Sequence, residues 1–110
     1  MTVSVMIQRT FRDEKLAAEL APLIVKLRSL ACIQPGYITG KTFRCLDCPC
    51  EFVVISTWNS LEDWNRWLHS RERTAIQDQV NRLLGEKTTF RLYEPLAGGI
   101  IPRFRQSPAE

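Results

Sequence analysis

The stretch EFVVISTW, residues 51–58, is apolar on both of its faces. Alternate side chains of a strand point to opposite sides, so Phe52, Val54 and Trp58 share one face while Val53 and Ile55 share the other. A strand of this kind needs cover above and below its sheet. The rest of the chain limits where that cover can come from. TVSVMIQRTF sets Val3, Val5 and Ile7 against Ser4, Met6, Gln8 and Thr10, and reads as a first strand. YITGKTFRC reads as a second strand and TTFRLYEPL as the last, with the turn LDCP after the second. Helical spacing is confined to two regions. Asp13 caps a run in which Leu16, Leu20, Leu23, Ile24, Leu27, Leu30 and Ala31 recur at three and four, and QPGY stops it. Pro22 lies inside that run, so it either kinks the helix or marks a late first turn. Ser60 and Asp63 form a capping-box pattern that opens the second region, which runs to about Leu84 with a possible break near Ser70 and ends at Gly85.

The order is β-α-β-β-α-β, the ferredoxin-like split βαβ arrangement of an α+β domain: a four-stranded antiparallel sheet with its helices on one face. Residues 1–96 make the domain, and 97–110 read as a tail. Helices on one face leave the other bare, and a second copy of the same sheet is the natural cover. The expectation is a homodimer with sheets face to face. The Val3–Val5–Ile7 face, the more apolar of the first strand's two, is expected to meet the partner, and Gln8 is expected to lie beneath the helices.

The bulk properties exclude several classes. The 110 residues are 45% apolar and 25% charged, with a net charge of +3, ordinary for one globular domain. The basic residues are dispersed apart from Arg66, Arg71 and Arg73 and the pair Arg103 and Arg105, which is no nucleic-acid footprint. No run approaches the ~20 apolar residues of a membrane span, and the N-terminal stretch does not resemble a signal peptide. A cytoplasmic location is therefore expected, with the four cysteines as thiols or metal ligands rather than structural disulfides.

CLDCPC places Cys45, Cys48 and Cys50 in one turn. A structural zinc needs four ligands, and Cys32 lies at the other end of the second strand, about 26 Å away at ~3.3 Å per residue. Asp47 or a partner chain would have to complete the set. A reduced, thiol-rich hairpin without metal is the expectation, with a Cys45–Cys48 disulfide open to it on oxidation.

WNSLEDWNRWLHS, residues 58–70, holds every tryptophan of the chain and its single histidine. Helical stepping from Leu61 groups Leu61, Trp64 and Leu68, with Trp67 at the margin of the stripe. Trp64 and Trp58 therefore read as core, and Trp67 as either core or the wall of a cavity. His69 is either a surface residue or an acid–base or metal-binding group.

The element order, the QPGY-x-TG turn and STW-x-S-x-EDWNRWLHSRER together resemble the antibiotic biosynthesis monooxygenase (ABM) domain, a dimeric α+β barrel, over residues 3 to 96. The resemblance implies a pocket between each sheet and its own helices, with Trp67 at the family's pocket tryptophan. It also implies one of several activities: cofactor-independent oxygenation of small aromatic phenols or quinols, ligand binding or sensing without turnover, or haem binding. Relatives carry an asparagine at the place of Gln8 that hydrogen-bonds substrate or dioxygen, which makes Gln8 and Trp67 the candidate catalytic pair. Met6, Trp64, His69, Arg91 and Tyr93 are the candidate pocket residues. Arg91 either favours an anion beneath the helices, or lies at the dimer seam or pairs with an acid. The haem-degrading relatives place their iron-binding histidine where this chain has Gln77, a poor iron ligand. The expected cofactor and metal are none, and the expected partners are a second copy and a small aromatic molecule.

Overall fold

The computed structural model describes residues 1–85 and 88–101. Strand β1 (Val3–Thr10) leads into helix α1 (Glu14–Cys32), followed by the hairpin of β2 (Tyr37–Arg44) and β3 (Glu51–Trp58). Helices α2 (Leu61–Leu68) and α3 (Arg71–Leu84) then precede β4 (Thr89–Tyr93). The sheet order is β2-β3-β1-β4, with every neighbouring pair antiparallel. This is the expected ferredoxin-like α+β fold.

Local chemistry sets the boundaries. Asp13 accepts a hydrogen bond from the Lys15 N–H and starts α1, which continues through the exposed Pro22 to Cys32. The Ser60 hydroxyl accepts from the Asp63 N–H at 3.1 Å and donates to the Asp63 carboxylate at 2.9 Å. The break expected near Ser70 is present, because Ser70 caps a new helix by accepting from the Arg73 N–H. Gly85, at φ 68°, ends α3 in the left-handed conformation that glycine adopts without steric cost.

The strand faces are the reverse of the expectation. Val3 and Val5 are buried, and with Ile7 they pack beneath the helices, against Leu20, Leu27, Trp58, Trp64, Trp67, Ile76 and Val80. Val3 pairs with Trp58, Val5 with Ser56 and Ile7 with Val54, so these residues all look toward the helices. Ser4, Met6 and Gln8 look the other way, beside Thr57, Ile55 and Val53. The physical reason is that a chain covers its most apolar stripe with its own helices first. The open face keeps a mixed surface, in which Phe43 and Tyr93 are half exposed. Of the expected tail, 97–99 form a short 3-10 turn, and 102–110 lie outside the described residues.

Candidate functional site

A cleft opens between the helices and the sheet, on the buried side of β1, β2 and β3. It encloses about 630 Å³ outside the atoms, solvent mouth included, yet the centre of a water molecule can move through only about 80 Å³ of it. The space is a slot. Its walls are mostly apolar, with Ile7, Ile24, Leu27, Val54 and Trp67 among them, and its polar groups are few: Thr42, Ser56, Tyr37, Gln77 and three arginines, Arg9, Arg28 and Arg73. An apolar recess with a few convergent polar groups is the usual form of a small-molecule site.

Each polar group is placed by its own element. Arg9 follows Ile7 on the inward face of β1, the point at which the apolar alternation gives way to charge. Burial, together with repulsion from Arg73, lowers its pKa from the ordinary arginine value to about 10. Arg73 is buried in the first turn of α3, and desolvation lowers its pKa while Asp78 acts in the opposite sense. Gln77 lies one turn further along that helix, also buried. Its amide nitrogen donates to Asn81 Oδ1 and to Thr88 Oγ1, both at 2.9 Å. Asn81 Oδ1 also accepts from the Thr88 N–H at 3.3 Å, so the joint between α3 and β4 fixes the orientation of the Gln77 amide. Arg28 stands at the mouth, where its guanidinium donates to the Gly40 carbonyl at 3.2 Å. Ser56 accepts from the Trp58 indole N–H at 3.1 Å.

The expected site residues are divided between the two sides of the sheet. Trp67 and Trp64 both line the cleft, Trp67 with 5% of its surface exposed. Gln8, Met6 and Arg91 do not reach it. They line a separate hollow on the open face with Thr89, and there the Gln8 amide donates to the Glu51 carboxylate. Tyr93, opposite Ser4, is on that open face as well. Placing Gln8 beneath the helices is therefore overturned by the register of β1, and of the two positions left open for Arg91 the structure selects the open face. His69 caps the C-terminus of α2, exposed, with Nδ1 2.8 Å from the Asn65 carbonyl, and is not among the cleft's lining residues.

The sequence reading missed Arg9, Arg73, Gln77, Tyr37 and Ser56. A signal for the first existed: Arg9 continues the two-residue period of Val3, Val5 and Ile7. Arg73 and Gln77 share a helix face with Ile76 and Val80 at spacings of three and four, which is the pattern of an inward stripe.

In the cysteine turn the Cys48 and Cys50 sulfurs are 3.5 Å apart, and this contact raises the Cys48 thiol pKa. Among the described residues, no group of three or more His, Cys, Asp or Glu side chains is placed to hold a metal ion. Nor, among them, is any helix long and apolar enough to cross a membrane.

Sheet order, a slot under the helices and a tryptophan at its wall define a class, and the sequence agrees with it. Residues 2–79 match the model of the antibiotic biosynthesis monooxygenase family, and the chain belongs to that family. No curated protein matches it. Among solved structures it is similar to Rv0793 from Mycobacterium tuberculosis, with 17% identity and a TM-score of 0.77 over 91% of this chain and all (100%) of that one. It is also similar to SnoaB, a cofactor-independent oxygenase from Streptomyces nogalater, with 18% identity and a TM-score of 0.73 over 99% and 98% of the two chains. A conserved protein from Methanosarcina mazei is similar at 15% identity and a TM-score of 0.75, over 84% and 91%. At these identities the likeness is one of fold.

Proposed function

We propose that this protein is a cofactor-independent monooxygenase of a flat aromatic phenol or quinol, working as a homodimer that joins through the open sheet faces. The observation that carries the reading is the narrow, mostly apolar slot beneath the helices, walled by Trp67 and floored by cationic and amide groups. Family membership supports it, and so does the fold shared with the oxygenase SnoaB.

In this chemistry the substrate supplies the electrons. Loss of a proton leaves an electron-rich anion, which passes one electron to dioxygen. The two radicals join through a C–O bond to give a peroxide. After protonation, loss of water converts a ring CH₂ to C=O, so one oxygen atom enters the product and the other leaves as water. The protein's part is desolvation, orientation and stabilisation of negative charge. Trp67 flanks the ring, the arginines favour the anion, and the Gln77 side-chain carbonyl, whose two amide N–H groups are taken by Asn81 and Thr88, accepts from a substrate hydroxyl.

One observation favours a second reading, ligand binding without turnover. Among the described residues, the ionisable side chains lining the cleft are the arginines and Tyr37, and none of these is a base at neutral pH. Under the oxygenase reading the substrate must therefore arrive ionised or lose its proton to solvent at the mouth.

Oxygen uptake by the purified, metal-free protein with a panel of anthrones and quinols separates the two. Uptake above the uncatalysed rate that falls in Trp67→Ala supports turnover. Tight binding with no uptake supports a binding protein.

A further inference from the structure

Among the described residues, Arg9 is the least provided-for group. Its side chain has 8% of its surface exposed, and its Nε is buried without a hydrogen-bond partner, the only such side-chain atom among the described residues. A buried donor left unpaired is costly, and more so when it carries charge. The neighbourhood adds to the cost. Arg73, equally buried, repels it, and the cleft that both line contains a third arginine and, among the described residues, no aspartate or glutamate. Arg73 is better served. One of its nitrogens donates to the Leu68 carbonyl at 3.2 Å, and its guanidinium carbon stands 5.4 Å from the centre of the Phe90 ring. Asp78, the acid that acts on Arg73, is not among the lining residues.

We propose that the cleft takes a planar aromatic carboxylate, its carboxylate held by Arg9 with Arg73 and its rings lying against Trp67. This rests on the reading of the cleft as the ligand site and names the substrate class that site prefers. A guanidinium presents a planar fork of donors that matches the two oxygens of a carboxylate. The ligand thus supplies the partner that the fold withholds from Arg9. The slot and its apolar walls demand a flat, apolar body behind the charged group. Three arginines against no lining acid also leave positive charge for a phenolate after the carboxylate has taken its share. A site with an unpaired polar group rejects an analogue that fails to pair it far more strongly than one differing only in apolar bulk.

The test is calorimetric titration of the full chain at pH 7 with 2-naphthoate and with 2-naphthamide, which share a ring system and differ in charge. The acid is expected to bind about tenfold or more tighter than the amide, as a charge-assisted hydrogen bond implies. Arg9→Met is expected to shrink that preference, Arg73 alone remaining to hold the carboxylate, while leaving amide binding in place. If the variant does not fold, the comparison on the unaltered protein still decides. Equal binding of acid and amide overturns this inference alone and leaves the cleft a ligand site. Binding of neither overturns it together with the reading of the cleft.

Discussion

The indoles of Trp58 and Trp64 meet edge to face, ring centroids 5.8 Å apart and planes at 64°. They are the middle of a chain of four rings. Tyr37 meets Trp58 at 5.4 Å, and Phe90 meets Trp64 at 6.0 Å, both also edge to face. The chain ties β2, β3, α2 and β4 together, and both central rings are about 1% exposed. Trp67 enters no such ring pair among the described residues, and one of its sides borders the cleft.

Shortening these tryptophans therefore has different consequences. Trp64→Ala empties a packed aromatic site and is expected to destabilise by roughly 3–5 kcal/mol. Trp67→Ala is expected to cost less, because its ring enters none of these edge-to-face pairs, although all three tryptophans line the cleft. It is expected to weaken binding of flat aromatic ligands by about 0.5–1.5 kcal/mol beyond the lost area. Paired denaturation curves and ligand titrations check this. Equal destabilisation with unchanged affinity would make Trp67 ordinary core.

The helices cover one face of the sheet and the proposed dimer uses the other, and a charge placed on each separates the two. Val5 has no exposed surface beneath the helices, so Val5→Asp is expected to unfold the chain by burying an unpaired carboxylate. Ile55 lies on the open face between Met6 and Lys41. Ile55→Asp is expected to leave a folded monomer. Light scattering and circular dichroism read both outcomes, and a dimer unaffected by Ile55→Asp would place the seam elsewhere.

The division of the chain into strands and helices was legible because periodicity and caps are local. Asp13, Ser60, Ser70 and Gly85 each mark a boundary with their own side chain or backbone. The orientation of β1 was not legible, because alternation identifies two faces without saying which one meets the helices. Val3–Val5–Ile7 and Ser4–Met6–Gln8 exchange roles if the strand turns over, so one inverted assignment moved Gln8 and Arg91 out of the cleft. Trp67 kept its place because its position rests on helical phase alone.

Gly36 stands at φ 85° in the turn before β2, and a Cβ there would collide with the Asp63 side chain. That carboxylate is already engaged by Ser60 and by Arg66 at 3.1 Å. Gly36→Ala is expected to cost about 1–2 kcal/mol for the backbone conformation, and more for displacing the cap of α2. If thermal melts show Gly36→Ala matching the original protein, the turn can take a conformation with negative φ.

Arg9 makes a prediction about stability as well as binding. Its pKa is lowered to about 10 in the folded chain, so above that value the unfolded chain binds the additional proton and stability rises with pH. Below about pH 10 the cost of burying the charge is present in full. The displacement corresponds to roughly 3 kcal/mol at most. Arg9→Met retains apolar bulk without the charge, and without ligand it is expected to be more stable than the original protein at pH 7, by up to that amount. The difference is expected to hold constant from pH 7 to 9 and to shrink above pH 10, as Arg9 itself begins to lose its proton in the folded state. Urea denaturation at pH 7, 9 and 10.5 measures it. A variant less stable than the original at pH 7 would mean that the guanidinium has a stabilising partner when no ligand is bound, and the cost that a carboxylate is proposed to relieve would not exist.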